Sequence, residues 1–297
     1  MKPEPSIVSL GRRDFLKVAV AATGVVLLRN AAAAKPANVE PSGLIDTNVY
    51  LSRWPLRRLP CDETAALVAK LRSQGVTQAW AGSFDGLLHR DIATVNARLA
   101  DECRRHGGGL LVPFGSVNPK LPDWEDDLRR CAEEHRMPGI RLHPGYHGCK
   151  LDDPDFAKLL RLSAKCGLIV QLAHIMEDRR MMHPLLQVEP PDIKPLADLV
   201  KKTPGLRLEL LNLKGQPSPD LLKAGEVCVD IAMVEGVGGV GKLLAQMPPD
   251  RVLFGSHAPL FYFESALLKL KESPLNEEQL RAIRCANAQR LLATTIN

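Results

Sequence analysis

Short apolar runs alternate with amphipathic stretches from residue 43 to residue 292, and the alternation repeats eight times. The runs at 43–51, 76–83, 110–118, 139–143, 168–174, 206–212, 227–234 and the one starting at Val252 have the length and β-branched content of buried strands. Between them, apolar positions recur at helical spacing over 63–73, 92–105, 124–135, 154–166, 194–202, 219–224 and 240–246. Asp62 stands where an N-cap is expected for the first of these helices. Two further helices are expected over 263–272 and 277–292. Eight strand–helix units without a linker or a break in composition predict a single (β/α)8 TIM barrel with extra C-terminal helices. An open doubly wound sheet also alternates strands and helices, but it needs a glycine-rich fingerprint after its first strand, and none is present.

In such a barrel, chemistry sits where the strands end. The stretch Val252-Leu253-Phe254-Gly255-Ser256-His257-Ala258-Pro259 shows the pattern: an apolar run, one ionisable side chain, then proline. Period-two alternation puts Asp46, Asn48 and Tyr50 on one face of the first strand, opposite Ile45, Thr47 and Val49, and pairs Arg141 with His143 on the fourth. His174 and Asn212 end the fifth and sixth strands. Together these residues predict a polar chamber at one end of the barrel. Arg141 is expected to meet Asp46 or Glu177, or to hold an anionic substrate, because an inward guanidinium is costly when unpaired. The loop after His174 concentrates Glu177, Asp178, Arg179, Arg180 and His183, as a solvated loop or as a lid over the chamber.

Several segments resemble the amidohydrolase-related metal-dependent hydrolases. The first strand, Gly43-Leu44-Ile45-Asp46-Thr47-Asn48-Val49-Tyr50, is similar to that family's Asp-x-His-x-His strand. Leu151-Asp152-Asp153-Pro154-Asp155-Phe156 with the following run to His174, the run from Pro204 to Gly215, Asp250 to Pro259, and Asn287 to Leu292 resemble its later segments in order. The resemblance implies the barrel fold and a metal-assisted hydrolase. It also implies histidines at Asn48, Tyr50 and Asn212 and an aspartate at His257, and of the expected ligand set only His174 is retained. Asn and Tyr are poor ligands for divalent transition metals. His174 and His257, with His143 as a third, are the remaining candidates for a weakly held divalent ion such as zinc, and no cofactor is otherwise implied.

Two classes of function remain. One is a hydrolase acting on a small anionic lactone, ester or amide, with His257 as general base, His143 and His174 as partners, and Arg141, Asn48, Tyr50 and Asn212 contacting substrate. An imidazole suits that role at neutral pH better than an aspartate without a metal. A decarboxylase-type lyase is the variant the same family offers. The other class is a non-catalytic binding or accessory protein on a retired barrel. The segment Gly236 to Lys242 fits the spacing of a P-loop, but Leu243 stands where a hydroxyl has to hold magnesium.

Composition narrows the partners. Aromatic residues make up 4% of the chain, which leaves little to stack on single-stranded nucleic acid. The net charge of +5 comes mostly from residues 1–34, so no basic footprint for nucleic acid remains. The seven cysteines are scattered without metal-type spacing and are expected as free thiols. Ser9-Leu10-Gly11-Arg12-Arg13-Asp14-Phe15-Leu16-Lys17 resembles a twin-arginine signal, followed by a weakly apolar stretch too short to span a bilayer and by Ala31 to Ala34. The division expected is a signal over 1–34 and a barrel over 35–297. The chain would engage the twin-arginine export machinery, pass folded to the periplasm or beyond, and keep no membrane anchor after cleavage. Changing Arg12 and Arg13 together to Lys is expected to leave unprocessed precursor in the cytoplasm, as followed by immunoblotting of cell fractions. Mature-length protein in the periplasm from that double variant would rule the signal out.

Overall fold

The structure is a computed structural model that describes residues 43–293. The twin-arginine segment and the expected cleavage near Ala33 or Ala34 lie outside the described residues. Eight parallel strands follow one another in sheet order: β1 (Leu44–Leu51), β2 (Val76–Ser83), β3 (Leu111–Ser116), β4 (Gly139–Leu142), β5 (Ile169–Ala173), β6 (Arg207–Leu211), β7 (Glu226–Asp230) and β8 (Val252–Leu253). Thr47 N donates to Phe254 O, His257 N to Asn48 O, and Tyr50 N to Ala258 O, which joins β8 to β1. The sheet is a closed (β/α)8 barrel, as the eightfold pattern implies.

The helices follow their sequence signals. α1 is Thr64–Ser73, α2 Ile92–His106, α3 Trp124–Glu133, α4 Pro144–His147, α5 Pro154–Lys165, α6 Leu196–Lys201, α7 Pro219–Ala224, α8 Gly239–Leu244, α9 Phe263–Lys271, α10 Glu277–Arg281 and α11 Asn287–Ala293. α2 buries Ile92, Val95, Leu99 and Cys103 on one stripe, and Asp91 caps it by accepting from Thr94 N. Asp62 does not cap α1. Its carboxylate takes Arg58 and Leu59 N instead, and Glu63 occupies the cap position without a side-chain bond. The single helix expected over 277–292 is interrupted by a π-turn at Ala282–Ala286, whose Ile283 carbonyl accepts from Phe254 N. Among the described residues no helix is long and apolar enough to cross a membrane, and all seven cysteines are free.

The interior is layered. A large apolar cluster fills the space between strands and outer helices. Ile45, Trp80, Phe114, Ile169, Cys228 and Leu253 form a second cluster, with Cys285, Ala288 and Leu291 of the C-terminal segment. A polar layer crosses the lumen beside it. Arg141, fully buried, donates from Nε to Gln171 Oε1 (2.8 Å), from Nη1 to Val49 O (2.7 Å), and from Nη2 to Thr47 O (3.1 Å) and Trp80 O (2.9 Å). Gly82 makes room for it, since a Cβ there would lie 2.8 Å from Arg141 Cδ. Gln171 Nε2 bridges Thr47 O and Glu209 Oε2, each at 2.7 Å. Strict alternation predicts Thr47 on the outer face of β1, but a register shift between Asp46 and Val49 brings its hydroxyl to Glu209 as well.

Burial pushes the Glu209 carboxyl up to about 8, so it holds a proton at neutral pH. The geometry agrees. Thr47 has one hydroxyl proton and two oxygens in reach, Phe254 O and Glu209 Oε1, so a protonated Oε1 donating to Thr47 satisfies every group. The unfolded chain releases this proton above about pH 4.5 and the folded chain only above about 8. The stabilisation is therefore complete at low pH and declines, by about 1.4 kcal/mol per pH unit, as pH rises through that window. Glu209→Gln preserves the donor and the acceptor without the titration. Urea unfolding is expected to show wild type losing stability more steeply than Glu209→Gln between pH 6.5 and 8, and equal slopes would mean that Glu209 is ionised.

Candidate active site

At the C-terminal end of the lumen the polar residues are held by one another. Asp46 accepts from Asn48 N (3.1 Å) and Ser256 N (3.0 Å) through Oδ1, and from the Ser256 hydroxyl through Oδ2. Asp230, at the end of β7, accepts from Asn212 N (2.9 Å) and from Asn48 Nδ2 (2.6 Å). Burial raises both carboxyls, Asp46 to about 7 and Asp230 to about 6, although these hydrogen bonds oppose the rise. Gly255 keeps this corner open, because a Cβ there would sit 2.7 Å from Asp230 Oδ2.

A single chain of hydrogen bonds runs through the residues expected to carry chemistry. Asn48 Nδ2 donates to Asn212 Oδ1 (2.8 Å), Asn212 Nδ2 faces His257 Nδ1 (3.3 Å), and His257 Nε2 lies 2.7 Å from Met176 O. A carbonyl can only accept, so Nε2 carries the proton and Nδ1 accepts from the Asn212 amide. Protonating Nδ1 would set two donors against each other. Together with burial, which pushes the imidazole down to about 3, this holds His257 neutral. Both ring nitrogens are engaged and the residue is fully buried, so the general-base role expected for His257 has no free lone pair behind it. Its backbone, like that of Asn212, is left-handed, with φ of 59° and 54°.

His143 differs. Its Nε2 lies 3.0 Å from the Tyr50 hydroxyl, while its buried Nδ1 has no hydrogen-bond partner. Tyr50 also lies 3.5 Å from Met176 Sδ, so an Nε2–H donating to Tyr50 and a Tyr50 O–H directed at sulfur satisfy both groups. That tautomer leaves a lone pair on Nδ1. Burial and neighbouring His147, Arg141 and His257 keep the ring well below the usual imidazole range, hence neutral. His143 and His174 line the same small cavity of about 10 Å³, with Tyr146 and Met176, which is room for a single water-sized group. His174 is half-buried, and its Nδ1 accepts from Lys214 N (3.3 Å).

Two expectations change on this geometry. Arg141 meets neither Asp46 nor Glu177, and its bonds to lumen oxygens withdraw it from the role of substrate anchor, so no anionic substrate is implied by it. Tyr50 is sandwiched between Phe84, stacked at 4.7 Å between centroids, and the Arg141 guanidinium, 4.4 Å from its ring centroid. Burial lifts its hydroxyl to about 12, which leaves a neutral phenol. Asp230, Glu209, Gln171 and Ser256 complete the chamber and were not singled out from the strand pattern. Asp230 carried a signal, the polar residue that ends Val227-Cys228-Val229.

A model of the amidohydrolase family matches residues 52–294. A search of curated protein sequences gives no match. Among solved structures, the chain is similar to a 2,6-dihydroxybenzoate decarboxylase from Rhizobium, with 14% identity over 85% of this chain and 99% of that one and a TM-score of 0.68. It is similar to a 5-carboxyvanillate decarboxylase from Sphingomonas paucimobilis, with 15% identity over 84% and 99% and a TM-score of 0.68. A dihydroxybenzoic acid decarboxylase from Polaromonas sp. JS666, solved with bound manganese and 2-nitroresorcinol, is 12% identical over 86% and 98% with a TM-score of 0.67. At these identities the likeness is one of fold.

The residues at the end of this lumen do not fit a transition-metal ion. Asn48 presents its amide nitrogen to Asn212 and Asp230, Tyr50 is a neutral phenol, and His257 has no free nitrogen. Among the described residues no group of three or more His, Cys, Asp or Glu side chains is disposed around a common point. Elemental analysis of the dialysed protein is expected to find well under one equivalent of zinc or manganese. A stoichiometric ion that is lost in His143→Ala or His174→Ala would overturn this and establish a different ligand set.

Proposed function

Because the chain belongs to the amidohydrolase family, we propose that it is a hydrolase of that family which acts without a resident transition metal. In this reading it opens a small lactone, ester or amide at the C-terminal mouth of its barrel. The observation that carries the proposal is the unpartnered Nδ1 of His143, a residue that lines a water-sized cavity. A buried nitrogen lone pair next to such a space suits a general base that takes a proton from water as the water attacks a carbonyl. Tyr50 holds the tautomer by accepting from Nε2–H and stabilises the imidazolium formed in the step. His257, Asn212 and Asn48 act as a positioning chain, tying β1, β6 and β8 to the loop at Met176. The N-terminal pattern adds a second element to the proposal: the protein works in the periplasm or outside the cell, after twin-arginine export.

A non-catalytic binding or accessory protein is the second reading. It is favoured by the closure of the mouth, where Tyr50, Asn48, His143, Asn212 and His257 are all at most 1% exposed. The decarboxylases among the structural neighbours are the reason to include carboxylated aromatics in any substrate panel.

The test is a panel of small lactones, esters, amides and carboxylated aromatic acids, with pH–rate profiles on any substrate that turns over. His143→Gln is expected to lower kcat by about 10²–10⁴-fold. Because His143 is held neutral, the rate is expected to be level across about pH 6 to 8 rather than to rise through the ordinary imidazole range. Hydrolysis that survives His143→Gln unchanged would reject the mechanism. Binding without turnover of any member would favour the second reading.

A further inference from the structure

Between β1 and α1, residues 52–61 form a strap that packs on the mouth. The strap inserts Trp54, Leu56 and Leu59 into an apolar cluster separate from the main core, made with Tyr50, Phe84, Leu87, Ala173, Met176, Leu211 and Leu260. Trp54 meets Phe84 edge-on at 5.1 Å between centroids and Tyr146 at 6.4 Å, so its indole lies above the Tyr50–Phe84 stack. Its buried Nε1 has no hydrogen-bond partner. A donor left without an acceptor under a surface loop disfavours the closed arrangement.

Both ends of the strap have unusual backbone. Ser52 and Cys61 are left-handed, with φ of 62° and 59°, although neither is glycine. Such residues carry local strain that persists only while the surroundings enforce it. Besides the apolar cluster, the surroundings hold the strap at two polar points: the Ser52 hydroxyl lies 3.2 Å from Ser83 Oγ and accepts from Asp85 N at 3.2 Å, and Arg57 Nη1 donates to Glu177 Oε2 of the β5 loop at 2.8 Å. Arg57 is about a third exposed, while Glu177 is 2% exposed and its other carboxylate oxygen, Oε1, is buried without a partner. The remaining strap ion pairs, Arg58 with Asp62 and Arg53 with Glu63, are local to the strap and the start of α1. With Arg58 on Glu63 they reach across the Cys61 pivot, but their arginines and Glu63 are more than half exposed, so solvent screens them and they restrain the strap weakly.

We propose that residues 52–61 form a lid over the barrel mouth, pivoting at Ser52 and Cys61 and latched by Arg57 on Glu177. Lifting it withdraws Trp54 and Leu59 from the mouth cluster, uncovers Phe84 and Tyr146, and brings water to Glu177 Oε1 and Trp54 Nε1. Trp54 packs on Tyr146, which lines the cavity beside His143, so lifting the strap frees one wall of that cavity. The lid therefore serves the hydrolase and the binding reading alike, and its motion is measurable without a substrate.

The experiment is hydrogen exchange by mass spectrometry on the intact protein, with acrylamide quenching of tryptophan fluorescence. Trp54 is isolated by difference from Trp54→Phe. Arg57→Ala strands a buried carboxylate, and Glu177→Gln removes the charge from the latch while keeping its shape. Each is expected to speed exchange of the strap amides on the order of ten-fold and to raise quenching of Trp54, while peptides covering β5 and β6 exchange as in wild type. Cys61→Val, whose β-branched side chain resists a left-handed φ, is expected to act in the same direction, and Cys61→Ala less so. The proposal is overturned if strap exchange is unchanged in both latch variants. It is also overturned if the strap opens only together with the barrel strands, because the segment is then part of the core. A lid that opens over a mouth with no turnover would count against the hydrolase alone.

Discussion

A guanidinium at the centre of a barrel has to find its acceptors inside the lumen, because water cannot reach it and the group cannot lose its charge. Arg141 meets that demand with three backbone carbonyls and the Gln171 side chain, drawn from β1, β2 and β5. Much of the interior is arranged around it. Gly82 is bare so that the side chain fits, Thr47 turns inward so that its carbonyl and hydroxyl both serve the layer, and Gln171 passes the network on to Glu209. Tyr50 lies flat over the guanidinium and closes the layer from above. The polar floor of the mouth is thus a structural layer, and chemistry begins only above it.

Above that floor, the substitutions at the expected ligand positions form a coherent set. Imidazoles and a carboxylate gathered around a metal would be held by coordination. Here two asparagines, a histidine and the Met176 carbonyl are held by hydrogen bonds that alternate donor and acceptor along one line. Amides are suited to this because each carries both a donor and an acceptor. The result ties the same strands together that a metal would tie, and it fixes the tautomer of His257. It also removes that imidazole from reaction, whereas His143 keeps a buried nitrogen without a partner.

The barrel was legible because its signal is repeated: a wrong boundary in one strand–helix unit does not disturb the other seven. Boundaries moved by only a few residues, and the misses have local causes. Asp62 had the right residue type for a helix cap, but Arg58 four residues earlier captured its carboxylate. Strict alternation along β1 failed where the register shifts near Thr47. The strand-end residues were located by the rule that chemistry collects there, and Asn48, Tyr50, His143, His174, Asn212 and His257 do gather at one end. Their roles were not legible, because a role depends on which partner each atom has. Arg141 reads identically in sequence whether it meets a substrate or three carbonyls, and His257 reads as a base until Asn212 and Met176 are seen on its two nitrogens.

The π-turn near the C-terminus bears on how the chain becomes a barrel during synthesis. β8 is only two residues long, and Phe254 N is satisfied by Ile283 O, while the Asn287 side chain donates to Val252 O and Pro249 O. The last strand therefore depends on partners some thirty residues downstream. Until those residues leave the ribosome, the seam between β8 and β1 lacks its outer support, so the ring cannot close before the segment around Ile283 and Asn287 has been made. A product that stops short of Asn287 therefore keeps an open seam and exposed strand edges.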